Sequence, residues 1–116
     1  MKLFVLSLVL VALALSPAFA GEKKLPTLKS LSTPTCPACL QMAKVLDEIN
    51  EKYAGKLEAE KVNVEEHPEM AREYKVRYVP TLLFLDAEGK VVQQEVGYRS
   101  LDEVLEIFKK AGVAIE

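Results

Sequence analysis

Ser32-Thr33-Pro34-Thr35-Cys36-Pro37-Ala38-Cys39-Leu40-Gln41-Met42-Ala43-Lys44-Val45-Leu46 is the stretch whose reading decides the fold. Beyond the two cysteines, Leu40, Ala43, Val45, Leu46, Ile49 and Tyr53 recur at helical spacing. Lys44, Asp47, Glu48, Glu51 and Lys52 fall between them, so the pattern predicts an amphipathic helix from Pro37 to about Ala54, ended near Gly55. Cys36 then stands where a strand meets a helix. Unpaired N–H groups and the helix dipole at that position favour a thiolate, which makes Cys36 the attacking sulfur. Cys39, one turn further on, is placed to resolve a mixed disulfide at Cys36.

The flanks of this helix read as further short elements. Leu25–Ser32 carries a weak strand pattern before it, and Leu57–Val64 alternates apolar and polar residues after it. Glu65–Tyr74 suits a short helix with Pro68 in its first turn. Thr81-Leu82-Leu83-Phe84-Leu85 is an apolar run of the kind buried on both faces, and Asp86-Ala87-Glu88-Gly89 turns it into Val91–Val96 as a hairpin. Ser100 with Glu103 three residues on is a capping-box pattern, opening a last helix with a stripe of Leu101, Val104, Leu105, Phe108 and Ala111. The order βαβαββα predicts one α/β domain, a central mixed sheet flanked by helices on both faces.

A CxxC pair has other uses. A tetrahedral zinc site needs further ligands, yet there is no third cysteine and His67 is the sole histidine. Haem attachment requires a histidine after the second cysteine, where Leu40 stands. A static disulfide remains open, although so short a loop gains little chain-entropy stabilisation. No cofactor is expected. His67 itself reads as a surface residue, and Met42 as core.

The chain has 116 residues, enough for one domain. Lys2, an apolar run from Leu3 to Leu15 broken only by Ser7, and Ala18-Phe19-Ala20 read as a cleavable secretory signal over residues 1–20, with a domain over 21–116. A membrane anchor is the rival reading, but the run is shorter than the roughly 20 apolar residues of a spanning helix. No cysteine lies near the cleavage site for lipidation and no apolar C-terminal tail offers an anchor, so no membrane span is expected after cleavage. Loss of the segment leaves 14 basic residues against 17 acidic ones, a formal charge of −3, which argues against a nucleic-acid partner. The expected location is periplasmic or secreted, where a thiol pair tends to oxidise.

Cys36-Pro37-Ala38-Cys39 before a long helix, with Tyr78-Val79-Pro80-Thr81 before an apolar strand, resembles the thioredoxin family, and the similarity covers nearly all of residues 28–112. The resemblance implies a minimal thioredoxin fold, with a cis peptide bond at Pro80 facing the cysteine pair. It also implies that Val79 offers backbone groups to an extended substrate and that Gly97 lies in the substrate groove. Pro37 and Ala38 would tune the pair, and Lys61 matches the family's partner lysine. The matching buried acid, however, is replaced by Ser30, and no Trp precedes Cys36. Glu58 and Glu60 are expected to be solvated and so not to replace that acid. Tyr78, Tyr98 and Arg99 either border the groove or pack at the sheet margin.

The function expected is an exported thiol–disulfide oxidoreductase exchanging disulfides with protein cysteines. The absence of an inserted helical domain tilts it towards a reductase fed by a membrane thiol electron donor. The alternatives are a disulfide-introducing oxidase and a redox-inactive thioredoxin-fold binding module.

Overall fold

The computed structural model describes residues 24–115. The signal segment expected over residues 1–20 lies outside them. The elements run β1 (Thr27–Ser32), α1 (Pro37–Lys52), β2 (Glu58–Asn63), α2 (Pro68–Glu73), β3 (Thr81–Leu85), β4 (Val91–Val96) and α3 (Leu101–Lys110). That is the predicted order.

The four strands form one mixed sheet in the order β2-β1-β3-β4. β1 pairs parallel with β2 and antiparallel with β3, and β3 and β4 form the antiparallel hairpin. Only one pair is parallel, because β3 comes in beside β1 reversed rather than as a second parallel crossover. β1 gave the weakest strand pattern because Lys29, Ser30 and Ser32 break its alternation, yet it sits at the centre with a strand on either side. Its position in the sheet outweighs its local propensity.

Alternation along the strands splits the core in two. Leu28, Leu82 and Phe84 pack with Met42, Val45, Leu46 and Ile49 of α1 and with Val104 and Phe108 of α3. Leu31, Val62, Leu83 and Leu85 face the other way, against Met70 and Tyr74 at α2. β3 is buried along its whole length, as a strand covered on both faces must be. Phe84 and Phe108 meet edge to face with ring centroids 5.0 Å apart.

The local stops act as the sequence suggested. Gly89 takes φ +83° in the hairpin turn, where Asp86 Oδ1 accepts the N–H groups of Glu88 and Lys90. Ser100 and Glu103 cap α3 reciprocally. Leu40 departs from its expectation: assigned to the apolar stripe of α1, it is 57% exposed, while Met42 is fully buried. The buried line of α1 runs Cys39, Met42, Leu46 and Ile49, and Leu40, one residue or about 100° past Cys39, points away from it. Among the described residues no helix is long and apolar enough to cross a membrane.

Candidate active site

Cys36 holds an extended conformation, φ −87° and ψ 116°, immediately before α1, while Pro37 occupies the first helical turn. As the N-cap, its Sγ accepts the Cys39 N–H at 3.1 Å, and its carbonyl accepts the N–H of Leu40, also at 3.1 Å. An N–H aimed at sulfur from the positive end of a helix stabilises negative charge there. Cys36 and Cys39 are joined as a disulfide with Cα atoms 5.1 Å apart. Cys36 is half-buried and Cys39 is 3% exposed, so an external sulfur reaches the first and the second acts from within. Pro37 is exposed and Ala38 half-buried, on the outer side of that turn.

Two distant segments close on this pair. The Val79–Pro80 peptide bond is cis, and the Val79 carbonyl oxygen lies 3.7 Å from Cys36 Sγ. Thr81 Oγ1 donates to the Tyr78 carbonyl at 2.6 Å, and the Gly97 N–H donates to the Pro80 carbonyl at 2.8 Å. Gly97 has φ +99°, a conformation side-chain-bearing residues rarely adopt. Segments around Cys36, Pro80 and Gly97, well separated in sequence, thus meet at one end of the sheet. Tyr78 is 70% exposed and Tyr98 43% exposed, so neither is packed away at the sheet margin.

Behind the disulfide is a cavity of about 210 Å³ whose walls include Cys39, Ser32, Leu40, Lys61 and Asn63. The parallel register brings the last two there, by pairing Ser30 with Lys61 and Ser32 with Asn63. Lys61 is exposed to solvent, and Ser30, where the resemblance expects an acid, is buried. Glu58 and Glu60 are exposed, on the strand face opposite Lys61. No carboxylate lines the cavity. Ser32 and Asn63 were not singled out by the sequence, since neither has a motif and only the β1–β2 register brings them to Cys39. His67 N-caps α2 on the surface with its ring Nδ1 3.3 Å from Glu69 Oε1. The larger groove of about 460 Å³, between Leu25–Pro26, Asp86–Glu88 and Ala111–Val113, lies at the other end of β1 and takes no part in this site.

This arrangement can carry thiol–disulfide exchange: an accessible sulfur that accepts an N–H at a helix start, and a buried sulfur one turn away. The family model described as Thioredoxin matches residues 20–110. The chain is 37% identical over 70 residues to Thioredoxin 1 of Nostoc sp., covering 60% of this chain and 65% of that one. It is 36% identical over 77 residues to the thioredoxin of Bacillus subtilis, 66% of this chain and 73% of the relative. Against the thioredoxin of Alicyclobacillus acidocaldarius it is 33% identical over 87 residues, 75% and 80% of the two chains. Chloroplastic thioredoxin z superposes with a TM-score of 0.69 at 20% identity, over 78% of this chain and 80% of that one. A malarial protein superposes with the same score at 19% identity, over 77% and 99% of the two chains. Sequence match, fold and a disulfide-forming CxxC pair, Cys36 and Cys39, at a helix start agree: the chain belongs to the thioredoxin family of thiol–disulfide oxidoreductases.

Proposed function

We propose that this protein is an exported, periplasmic or secreted reductase of protein disulfides, supplied with electrons by a membrane thiol carrier. The observation that carries the reading is the Cys36–Cys39 disulfide, with a reachable Cys36 beside the Val79 carbonyl. Residues 1–20, with their charged start, apolar run and small-residue end, support export. The short connections between elements leave no room for an added helical domain, which supports the reductase direction.

In the cycle, the Cys36 thiolate attacks one sulfur of a client disulfide. The client S–S bond breaks, and the departing client sulfur leaves as a thiolate and takes up a proton. The Cys39 thiolate then attacks Cys36 Sγ, the bond to the client breaks, and the second client thiol is released. Two electrons and two protons pass from the cysteine pair to the client, and the membrane donor restores the dithiol. Val79 and Pro80 present a backbone edge against which an extended client lies, and Gly97 leaves that edge uncrowded by a side chain.

The deciding measurement is the reduction potential of the Cys36–Cys39 pair by equilibration with dithiothreitol or glutathione. A value near about −270 mV supports the reductase, and one near about −120 mV makes the protein a disulfide-introducing oxidase and overturns the direction. Cys36→Ser abolishes turnover, and Cys39→Ala traps clients as mixed disulfides; turnover retained in Cys36→Ser refutes the assignment.

A further inference from the structure

The protein is acidic as a whole, with 17 Asp and Glu against 15 Lys and Arg. The three segments that meet at Cys36 are different. Thr33–Leu46 contains Lys44 and no acid, Tyr74–Leu85 contains Lys75 and Arg77 and no acid, and Val96–Leu101 contains Arg99 and no acid. The same segments hold all four large apolar side chains that are exposed among the described residues: Leu40, Tyr78, Val96 and Tyr98. Exposed apolar groups carried on segments that converge at the Cys36 end of the sheet suit a contact surface better than scattered surface residues do.

The face has a polarity. Arg99 Nη1 donates to the Tyr98 carbonyl at 2.9 Å and lies 3.6 Å from where a Cβ on Gly97 would stand, so its guanidinium is folded back beside Gly97. Arg77 and Tyr78, both exposed, directly precede the Val79–Pro80 edge. The neighbouring acids are Glu73, at the end of α2 just before Tyr74, Glu95, on β4 opposite Leu82, and Asp102 and Glu103 on α3. The Glu103 carboxylate is held by the N–H and hydroxyl of Ser100. On the far side, Glu65 and Glu66 follow β2, the opposite edge of the sheet.

Resting on the reductase reading, we propose that the β3–β4 side of the site selects its clients: extended segments with an aromatic or aliphatic residue beside the reactive cysteine and acidic residues next to it. Tyr78 and Tyr98 take the apolar side chain, and Arg77 and Arg99 attract the carboxylates. Charge matching of this kind acts first on the rate of encounter and weakens with salt.

The test uses the reduced protein and three symmetric peptide disulfides that differ only beside the cysteine: Tyr with Glu, Tyr with Lys, and Ser with Glu. Second-order rates are followed by chromatography at low and high salt. The Tyr–Glu disulfide is expected to react roughly tenfold faster than Tyr–Lys at about 10 mM salt, the ratio falling to about twofold at 0.5 M. Arg77→Glu with Arg99→Glu reverses the order, and Tyr78→Ser with Tyr98→Ser brings Tyr–Glu down to the Ser–Glu rate. Equal rates for the acidic and basic peptides at low salt, or a preference unchanged in the arginine variant, overturns the proposal. Hydroxyethyl disulfide, small and uncharged, separates the two levels. If it reacts while the peptides show no preference, only the selectivity is wrong; if it does not react, the reductase reading falls as well.

Discussion

Replacing Asn50 by Ala tests how the structure secures the open edge of its sheet. β2 is an edge strand, and the N–H groups of Glu58 and Val64 point inward to carbonyls of Pro26 and Ser32. The groups of Ala59 therefore point outward, away from β1. Asn50, on the exposed side of α1, meets both of them: its Nδ2 donates to the Ala59 carbonyl at 2.9 Å, and its Oδ1 accepts the Ala59 N–H at 3.0 Å. A net hydrogen bond contributes about 0.5–1.5 kcal/mol, nearer the low end where water competes, so the pair is worth about 1–2 kcal/mol. Alanine returns a few tenths of this, roughly half a kcal/mol, through better helix propensity. The expected net loss is about 0.5–1.5 kcal/mol, read as a fall in the urea midpoint without a change in slope. Hydrogen exchange gives a local readout, because the Ala59 amide should lose its protection while the inward-facing Val64 amide keeps its own. A variant as stable as the parent, with Ala59 exchange unchanged, would refute this account of the edge.

Two further predictions concern the layer that supports the site. Phe108→Ala removes a fully buried ring stacked edge to face on Phe84, and should cost about 3–5 kcal/mol in urea unfolding; a loss below about 1 kcal/mol would mean that the α3 layer is not packed as described. Glu103 has its carboxyl held below the ordinary range, first by the Ser100 backbone N–H and then by the Ser100 side chain. A depressed carboxyl pKa contributes stability that is present above the ordinary value of 4.5 and lost as pH falls through the folded value. The melting-temperature gap between the parent and Glu103→Gln should therefore close on acidification from pH 7, and a gap independent of pH would contradict this origin.

What the sequence determined by itself was local. Periods of 3.6 and 2 residues identified α1 and the strand pattern of β2, Asp86–Gly89 and Ser100–Glu103 marked a turn and a cap, and Cys36-Pro37-Ala38-Cys39 at a helix start carried the chemistry. Each of these is decided by residues within about one turn of one another, so the chain states them directly. The facing of Pro80 on the cysteines came from the family resemblance and not from any local pattern. Tertiary structure decided the rest. The placing of β3 reversed beside β1, the opposition of Ser30 and Lys61, and the 3.7 Å approach of Val79 to a cysteine 43 residues away depend on strand order and register. Alternation says which face a residue takes, but not which strand will lie next to it. Leu40 shows a related limit on a helix: it is apolar and near the stripe in sequence, but the sheet buries the line of Cys39, Met42, Leu46 and Ile49, and Leu40 lies off that line. The convergence at the Cys36 end of segments that carry exposed Tyr78 and Tyr98 is likewise invisible along the chain, because it arises only where distant segments meet in the fold.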